Sequence, residues 1–184
     1  MLSRDDALAL VTSKNPEPHM VNHALQSEAI MRALAARLGH DPEVWGLAGL
    51  LHDLDFPLTK HTPEQHGLQA REELAGKLPE EALHAIVAHN EECTGVAAAA
   101  PFDFALRAAE SVTGLVMAAA LVRPTRMEGM EPKSLKKKMK DKSFAAAVSR
   151  DRIRECEKLG LTLDEFLALS IAAMTPIAAK TGIV

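Results

Sequence analysis

Apolar residues recur along most of this chain at intervals of three and four, which is the spacing of one face of an α-helix rather than the alternation of a strand. The first such segment begins after Ser3 and runs through Val11. The second begins near Asn15 and Pro16 and ends at Gly39, a residue type that commonly stops a helix. The pattern therefore predicts two helices at the start of the chain.

A third helix is predicted from the N-cap residue Asp41 through the apolar run 46–51. This run closes on two adjacent polar residues, His52 and Asp53. Neighbouring side chains on a helix point about 100° apart, so such a pair can reach one ion most easily at a helix end. Because Pro57 disfavours helical geometry at the residue before it, we expect the helix to stop there.

Histidines mark the next two predicted helices. After a loop from 55 to 61, the capping-box sequence 62–65 places His66 in the first turns of a helix. The helix after it carries His84 and His89. This separation does not put both rings on one face, so we expect His89 to point into a site and His84 to lie at the surface.

Three longer helices are predicted in the second half of the chain. The first spans 102–122 and carries Glu110 among small and apolar neighbours. A buried carboxylate needs a partner, which would be Arg107 one turn earlier or a metal ion. An amphipathic helix from 143 to 159 follows, and a last helix opens with a second capping box and runs through Ile177.

The amino-acid composition also favours a helical fold. The chain has 184 residues, 47% of them hydrophobic, which suits one globular domain with a sizeable core. Aromatic residues make up only 3% and tyrosine is absent, which disfavours a β-rich fold. We therefore expect residues 1–184 to form an all-α, compact single-domain helical bundle. No apolar run has the length of a membrane span and the N-terminus lacks a signal-peptide core, so we expect a cytoplasmic protein with no membrane partner.

Charge is distributed unevenly. Segment 123–142 has eight basic and three acidic residues, a net +5, which leaves −9 for the rest of a chain whose formal charge is −4. The segment is either a solvated helix face or a surface that attracts anions toward a site. It has no interleaved aromatic residues, which argues against a single-stranded nucleic acid as the partner.

Six residues with metal-binding side chains lie on five predicted helices, each near a helix end or within an apolar face. They are His23, His52, Asp53, His66, His89 and Glu110. Mixed imidazole and carboxylate ligands suit Mn, Fe, Co, Ni or Zn rather than Ca, and the lack of a thiolate argues against a structural zinc site. The sequence therefore predicts one or two divalent transition-metal ions as the cofactor.

This order of residues resembles the HD superfamily of metal-dependent phosphohydrolases, whose signature is an early His, then His-Asp, then a late Asp. The resemblance covers roughly residues 21–121 and leaves 122–184 as a C-terminal helical extension. The motifs that carry it, which look like the HDIG-type subgroup, are GLLHDLD at 49–55, PEQHGLQAREEL at 63–74 and HAIVAHNEE at 84–92.

The resemblance implies a first metal ion bound by His23, His52 and Asp53. Further histidines serve a second ion in two-metal members, and His66 and His89 match them, with Asp53 bridging both ions. The closing Asp of the family falls at Glu110, whose side chain is one methylene longer.

The resemblance also implies an enzyme that cleaves a small phosphomonoester or phosphodiester, such as a nucleotide, by a metal-activated water. Asp53 would act at the metal, and Asp55 would orient the water or serve as general acid or base. The residues expected to bind substrate phosphate are Lys60, His61, Arg123 and Arg126. An exposed polar loop is the alternative interpretation of the positions around Lys60.

Two other functional classes remain open from the sequence. A minority of the HD superfamily uses a pair of iron ions as an oxygenase, and the same His and Asp ligands would serve it. The third class is a non-catalytic module that binds a metal ion or a nucleotide for regulation.

Overall fold

The computed structural model describes residues 1–15 and 17–183, which form eleven α-helices and three 3-10 helices with no strand among them. The α-helices are α1 Arg4–Lys14, α2 Pro18–Leu38, α3 Pro42–Leu51, α4 Phe56–Thr59, α5 Leu68–Leu74, α6 Glu80–Ala88, α7 Glu91–Thr94, α8 Pro101–Leu121, α9 Pro132–Lys140, α10 Arg150–Arg154 and α11 Leu163–Met174. The 3-10 helices are Pro63–Gln65, Glu155–Leu159 and Thr175–Ile177. The prediction of an all-α fold is confirmed.

Several helix boundaries follow the local signals in the sequence. The Asp41 side chain accepts a hydrogen bond from the Glu43 amide at 2.8 Å, and so caps α3. At the start of α11, Thr162 and Glu165 form the predicted reciprocal capping box. The predicted start of the second helix includes Pro16, which lies outside the described residues; α2 begins at Pro18.

Helix α8 runs through the middle of the core. Its residues include a continuous apolar face that is fully buried, for example Leu106, Val112 and Leu115. By length and composition α8 could cross a membrane, which corrects the expectation that every apolar run is too short. However, 67% of its most apolar stretch is buried inside the protein, as in a core helix.

The helices that carry His23 and His52 touch backbone to backbone at Gly49. A Cβ built on Gly49 would lie 2.8 Å from the Ser27 carbonyl oxygen and 3.0 Å from the Glu28 amide nitrogen. Any larger residue would therefore push α2 and α3 apart. His23 lies about one turn before Ser27 and His52 about one turn after Gly49, so this contact sets the separation of the two imidazoles.

The linker between α3 and α5 differs from the prediction in two ways. Helix α3 ends at Leu51, and the expected loop contains the helical turn α4, in which Pro57 lies in the first turn where proline is tolerated. Thr62 makes no side-chain cap, and His66 has extended backbone between the 3-10 helix and α5 rather than lying in a first helical turn.

The predicted continuous helix over 143–159 is wrong. Residues 141–149 form a series of turns, called here the 141–149 loop, and α10 starts only after them. The guanidinium of Arg150 donates to the carbonyl oxygens of Ala145 at 2.7 Å and Val148 at 2.6 Å, and also to that of Phe144. The Arg150 guanidinium thus gives these three carbonyl oxygens of the loop the hydrogen bonds that a helix would otherwise supply.

Replacement of Gly49 by Ala should lower the free energy of unfolding by about 1–3 kcal/mol, because the added methyl meets backbone atoms that cannot rotate aside. The matched control is Gly46→Ala on the same helix, where the new Cβ would meet the side chain of Arg32 at 2.7 Å, and that flexible chain can move. Urea denaturation of both variants measures the difference. Equal stabilities would contradict a rigid contact at Gly49.

Candidate metal centre

Two imidazoles and one carboxylate oxygen form a first group of metal-ligand atoms. The Nε2 atoms of His23 and His52 lie 3.1 Å apart. The Oδ2 atom of Asp53 lies 3.3 Å from Nε2 of His52 and 3.6 Å from Nε2 of His23. These three atoms are close enough to one another to bind a single ion.

The other oxygen of Asp53 belongs to a second group. Its Oδ1 atom lies 3.2 Å from Nε2 of His66 and 3.5 Å from Nε2 of His89. The two Nε2 atoms of this group are 3.1 Å apart, the same separation as in the first group. Asp53 therefore lies between two pairs of imidazoles, with one carboxylate oxygen toward each pair.

Two of the four imidazoles are oriented by the helix end on which they lie. His52 caps α3, and its Nδ1 donates to the carbonyl oxygen of Gly49 at 2.9 Å. His89 caps α6 in the same way, with Nδ1 donating to the carbonyl oxygen of Ile86. In both rings Nδ1 is bound to the backbone, so Nε2 is the nitrogen that faces Asp53 and the metal position.

Side-chain oxygens orient the other two imidazoles. Nδ1 of His66 donates to Oδ1 of Asp55 at 2.8 Å. Nδ1 of His23 lies 2.9 Å from Oγ1 of Thr113, whose own proton goes to the Glu110 carbonyl oxygen at 2.6 Å. The Thr113 hydroxyl must therefore accept from His23, and the Nε2 lone pair of His23 also points into the centre.

The donor set fits divalent transition metals. The two Nε2 atoms of each group are 3.1 Å apart, close enough to bind one cation together, and each pair is completed by a carboxylate oxygen. Imidazole nitrogen with carboxylate oxygen is the ligand chemistry of Zn, Mn, Fe, Co and Ni. The His and Asp residues are thus positioned to bind a metal ion.

Burial and the shared carboxylate determine the protonation of the centre. Burial lowers the pKa of His23 and of His89. Burial also opposes a charge on His66, but the hydrogen bonds to Asp53 and Asp55 outweigh it and raise the pKa of His66 to about 9. Burial works against the charge of Asp53 as well, yet the surrounding imidazoles hold the pKa of its carboxyl well below the usual value.

Asp55 is buried and both of its oxygens are occupied. Oδ1 accepts from His66, and Oδ2 accepts from the amides of Gly67 at 2.8 Å and Ala70 at 3.0 Å. Asp55 therefore caps α5 and positions His66. This placement differs from the general acid or base role that we expected, because the 2% exposed residue presents no free oxygen to a substrate.

Glu110 is in neither ligand group among the described residues. Its Oε1 atom accepts from Ser111 Oγ at 2.7 Å and from Arg152 at 3.2 Å. These contacts hold the Glu110 carboxylate outside the two ligand groups, and its expected role as a further metal ligand stays a prediction. Arg107 is not its partner either, because that guanidinium pairs with Glu91 at 2.6 Å and with Glu155 at 2.8 Å.

A cavity of about 220 Å³ opens beside His23. Glu110 and Arg152 line its polar side, while Gly114 and Val148 form an apolar wall. The sequence analysis missed Arg152, since it treated 143–159 as one amphipathic helix. The signal for a helix start there was Ser149 followed by Asp151, an N-cap residue and a first-turn acid, which place Arg152 in the first turn of α10.

A family model described as HD domain matches residues 20–141. The chain belongs to the HD domain family. The match begins near His23 and continues past Leu121, where the sequence analysis placed the end of the motif-bearing core. It therefore includes both ligand groups and helix α9.

Two curated relatives of this HD domain are similar over about half of the chain. Ribonuclease Y of Cutibacterium acnes is 31% identical over 96 residues, which are 51% of this chain and 17% of that protein. Ribonuclease Y 1 of Pediococcus pentosaceus is 35% identical over 97 residues, 52% of this chain and 18% of that protein. The matched segment thus spans less than a fifth of each relative. No solved structure gives a significant match.

The residues expected to bind substrate belong to neither ligand group of the HD domain. Lys60 and His61 are exposed, and Lys60 lines a separate cavity of about 210 Å³ with Phe56. Arg123 donates to the Arg126 carbonyl oxygen at 2.9 Å, and Arg126 donates to a carbonyl at the end of α8. These two guanidiniums brace the turn after α8, and neither is among the described residues that line the cavity beside His23.

Metal stoichiometry tests whether both ligand groups are occupied. Elemental analysis should find two ions per chain in the parent, about one in His66→Ala and in His89→Ala, and none in Asp53→Ala, because Asp53 serves both groups. The control is His84→Ala, whose half-exposed ring contacts Asp103 instead. Full metal content in Asp53→Ala would contradict the assignment, and one ion in both the parent and His66→Ala would contradict the second group.

The metal-free HD domain should lose stability in alkaline solution. The pKa of His66 rises from about 6.5 in an unfolded chain to about 9 in the fold, so its stabilisation is complete below about pH 6.5 and is lost as the pH rises through about 9. Thermal unfolding in the presence of chelator should show this decline. The decline in stability should be smaller in His66→Gln and unchanged in His84→Gln. A decline of the parental size in both variants would mean that a group other than His66 causes it.

Proposed function

We propose that this HD domain is a metal-dependent phosphohydrolase that uses two divalent transition-metal ions to cleave a phosphodiester of a nucleotide or short oligonucleotide. The observation that carries the proposal is the position of Asp53, with one oxygen toward each pair of imidazoles. Two ions held by one carboxylate could act together on the attacking and leaving oxygens of a phosphoester. Membership of the HD domain family supports the same reaction class.

The chemistry divides between the ions and the side chains of this chain. Two bound ions would supply a water of lowered pKa and charge for the attacking and leaving oxygens. Asp53 would hold both ions and fix their separation. Asp55 would keep His66 in the tautomer whose Nε2 faces the centre, since its carboxylate binds the Nδ1 proton.

The cavity beside His23 gives a substrate access to the centre. The side chain of Arg152 is 22% exposed and has two carboxylate partners, Glu92 and Glu110. A substrate phosphate could exchange for one of them, because a guanidinium binds phosphate and carboxylate with the same geometry. We therefore assign phosphate binding to Arg152 in place of Arg123 and Arg126, whose guanidiniums bond to backbone carbonyls.

The names of the relatives favour a diester over a monoester. Both are called ribonucleases, and a ribonuclease cleaves phosphodiester bonds of RNA. Because this chain is similar to only part of each relative, we infer only that the bond cleaved is a phosphodiester, and not that the substrate is a particular RNA. The argument from the sequence against a single-stranded nucleic acid as the partner stays a prediction, and the substrate proposed here is a nucleotide or a dinucleotide.

The activity is tested with protein purified without chelator and then supplied with Mn, Co, Ni or Mg in turn. We expect release of nitrophenol from bis(p-nitrophenyl) phosphate and cleavage of dinucleotides, lost in Asp53→Ala. Asp55→Asn should lower the activity about 10–100-fold, because the residue acts through the orientation of His66. The matched control is Asp103→Asn, a buried carboxylate that caps α8 far along the chain from the ligands.

The other functional classes predict different results. An iron oxygenase would consume dioxygen in proportion to its iron content and leave the diester intact. A regulatory module would bind metal at full stoichiometry and turn over none of the substrates with any ion. Either result would overturn the proposed hydrolase.

A further inference from the structure

A second cavity adjoins the one beside His23. Its volume is about 610 Å³, and it is formed by the 141–149 loop with the end of α9 and the start of α10. Val148 and Ser149 line both cavities, so this part of the 141–149 loop is a wall that the two cavities share. The first cavity, at about 220 Å³, is smaller than the roughly 300 Å³ of the smallest usual ligand pockets. A substrate larger than the first cavity could reach the second by extending over this wall.

The second cavity carries positive charge. Lys140 and Lys142 line it, and in the described part of the chain neither ammonium has a carboxylate partner. Arg150 adds a charge that is held by the carbonyls of the loop. Against these three cations the described lining contains one carboxylate, Asp151. The cavity therefore favours an anion.

Other lysines of the basic segment are engaged elsewhere. Lys136 pairs with Asp164 at 2.7 Å, and Lys138 lies 4.1 Å from the centre of the Phe144 ring. Lys137 lines a different cavity with Ser134. The basic segment is thus not a uniform charged face, and only its last two lysines line the cavity next to the centre.

The wall between the two cavities is apolar and close to neutral. A Cβ built on Gly114 would lie 2.9 Å from Cγ2 of Val148, so the loop packs directly on α8 at this glycine. Glu110 and Arg152 neutralise each other beside it. The surface between the Glu110–Arg152 pair and Lys140 therefore carries little net charge.

We infer that Lys140 and Lys142 form a subsite for a second phosphate of the substrate, with one nucleoside between it and the phosphate at the metal centre. Cationic side chains line each of the two cavities, and the wall between the cavities is apolar. This arrangement matches a nucleoside that bears a phosphate on each side. Resting on the phosphodiester substrate proposed above, this subsite favours a dinucleotide with a terminal phosphate over the same dinucleotide without one.

The test measures equilibrium binding, so that it does not depend on turnover. Isothermal titration in the presence of chelator compares diadenylate with its 5′-phosphorylated and its 3′-phosphorylated forms. The parent should bind one phosphorylated form about threefold to tenfold more tightly than diadenylate, as expected for two exposed ion pairs. The preference should shrink as the salt concentration rises.

Two double variants locate the effect. Lys140→Gln with Lys142→Gln should abolish the preference, whereas Lys133→Gln with Lys137→Gln should keep it, although both remove two charges from the same exposed segment. If both double variants lost the preference equally, the cause would be a general attraction of the ligand to the basic segment, and the subsite would be overturned. Equal affinities of the parent for all three ligands, or no measurable binding of any, would also overturn it.

The outcome is separable from that of the hydrolase. A chain that cleaves nothing but shows a preference removed only by the Lys140 and Lys142 changes would keep the subsite and lose the proposed reaction. A chain that cleaves diadenylate and its phosphorylated forms with no difference in affinity would keep the reaction and lose the subsite.

Discussion

The structure depends on holding four imidazole Nε2 atoms around one partly buried carboxylate. Two imidazole rings with Nε2 atoms 3.1 Å apart are not held there by each other, so the surrounding chain must supply the energy that keeps them in place in the absence of a metal ion. The backbone contact at Gly49 supplies part of it by fixing α2 against α3. The remaining restraint is the hydrogen bond that each ring makes through Nδ1.

Ligands at helix ends could be predicted from the sequence. His52 and His89 each follow an apolar run, and each donates Nδ1 to the carbonyl oxygen three residues before it. This bond is local, so a helix that ends at a histidine already contains the partner that orients the ring. For the same reason the caps at Asp41 and Thr162 were predicted correctly.

Restraints that join distant parts of the chain could not be predicted. Asp55 caps α5 through the Gly67 amide, twelve residues away, and the Ala70 amide, fifteen residues away, so the local capping box at Thr62 is not used and His66 leaves the helix. Arg150 likewise takes the carbonyls of the 141–149 loop and ends the helix expected there. In both cases a tertiary hydrogen bond replaced one that the local sequence favours.

The metal-ligand residues and the residues that wall the cavity lie in different parts of the chain. The HD family match ends at residue 141, whereas Val148 and Arg152, which line the cavity beside His23, come after that point. Changes in this later segment can alter which molecules enter without touching any of the five ligand residues. Relatives with the same centre and a different loop would therefore be expected to share a reaction and differ in their substrates.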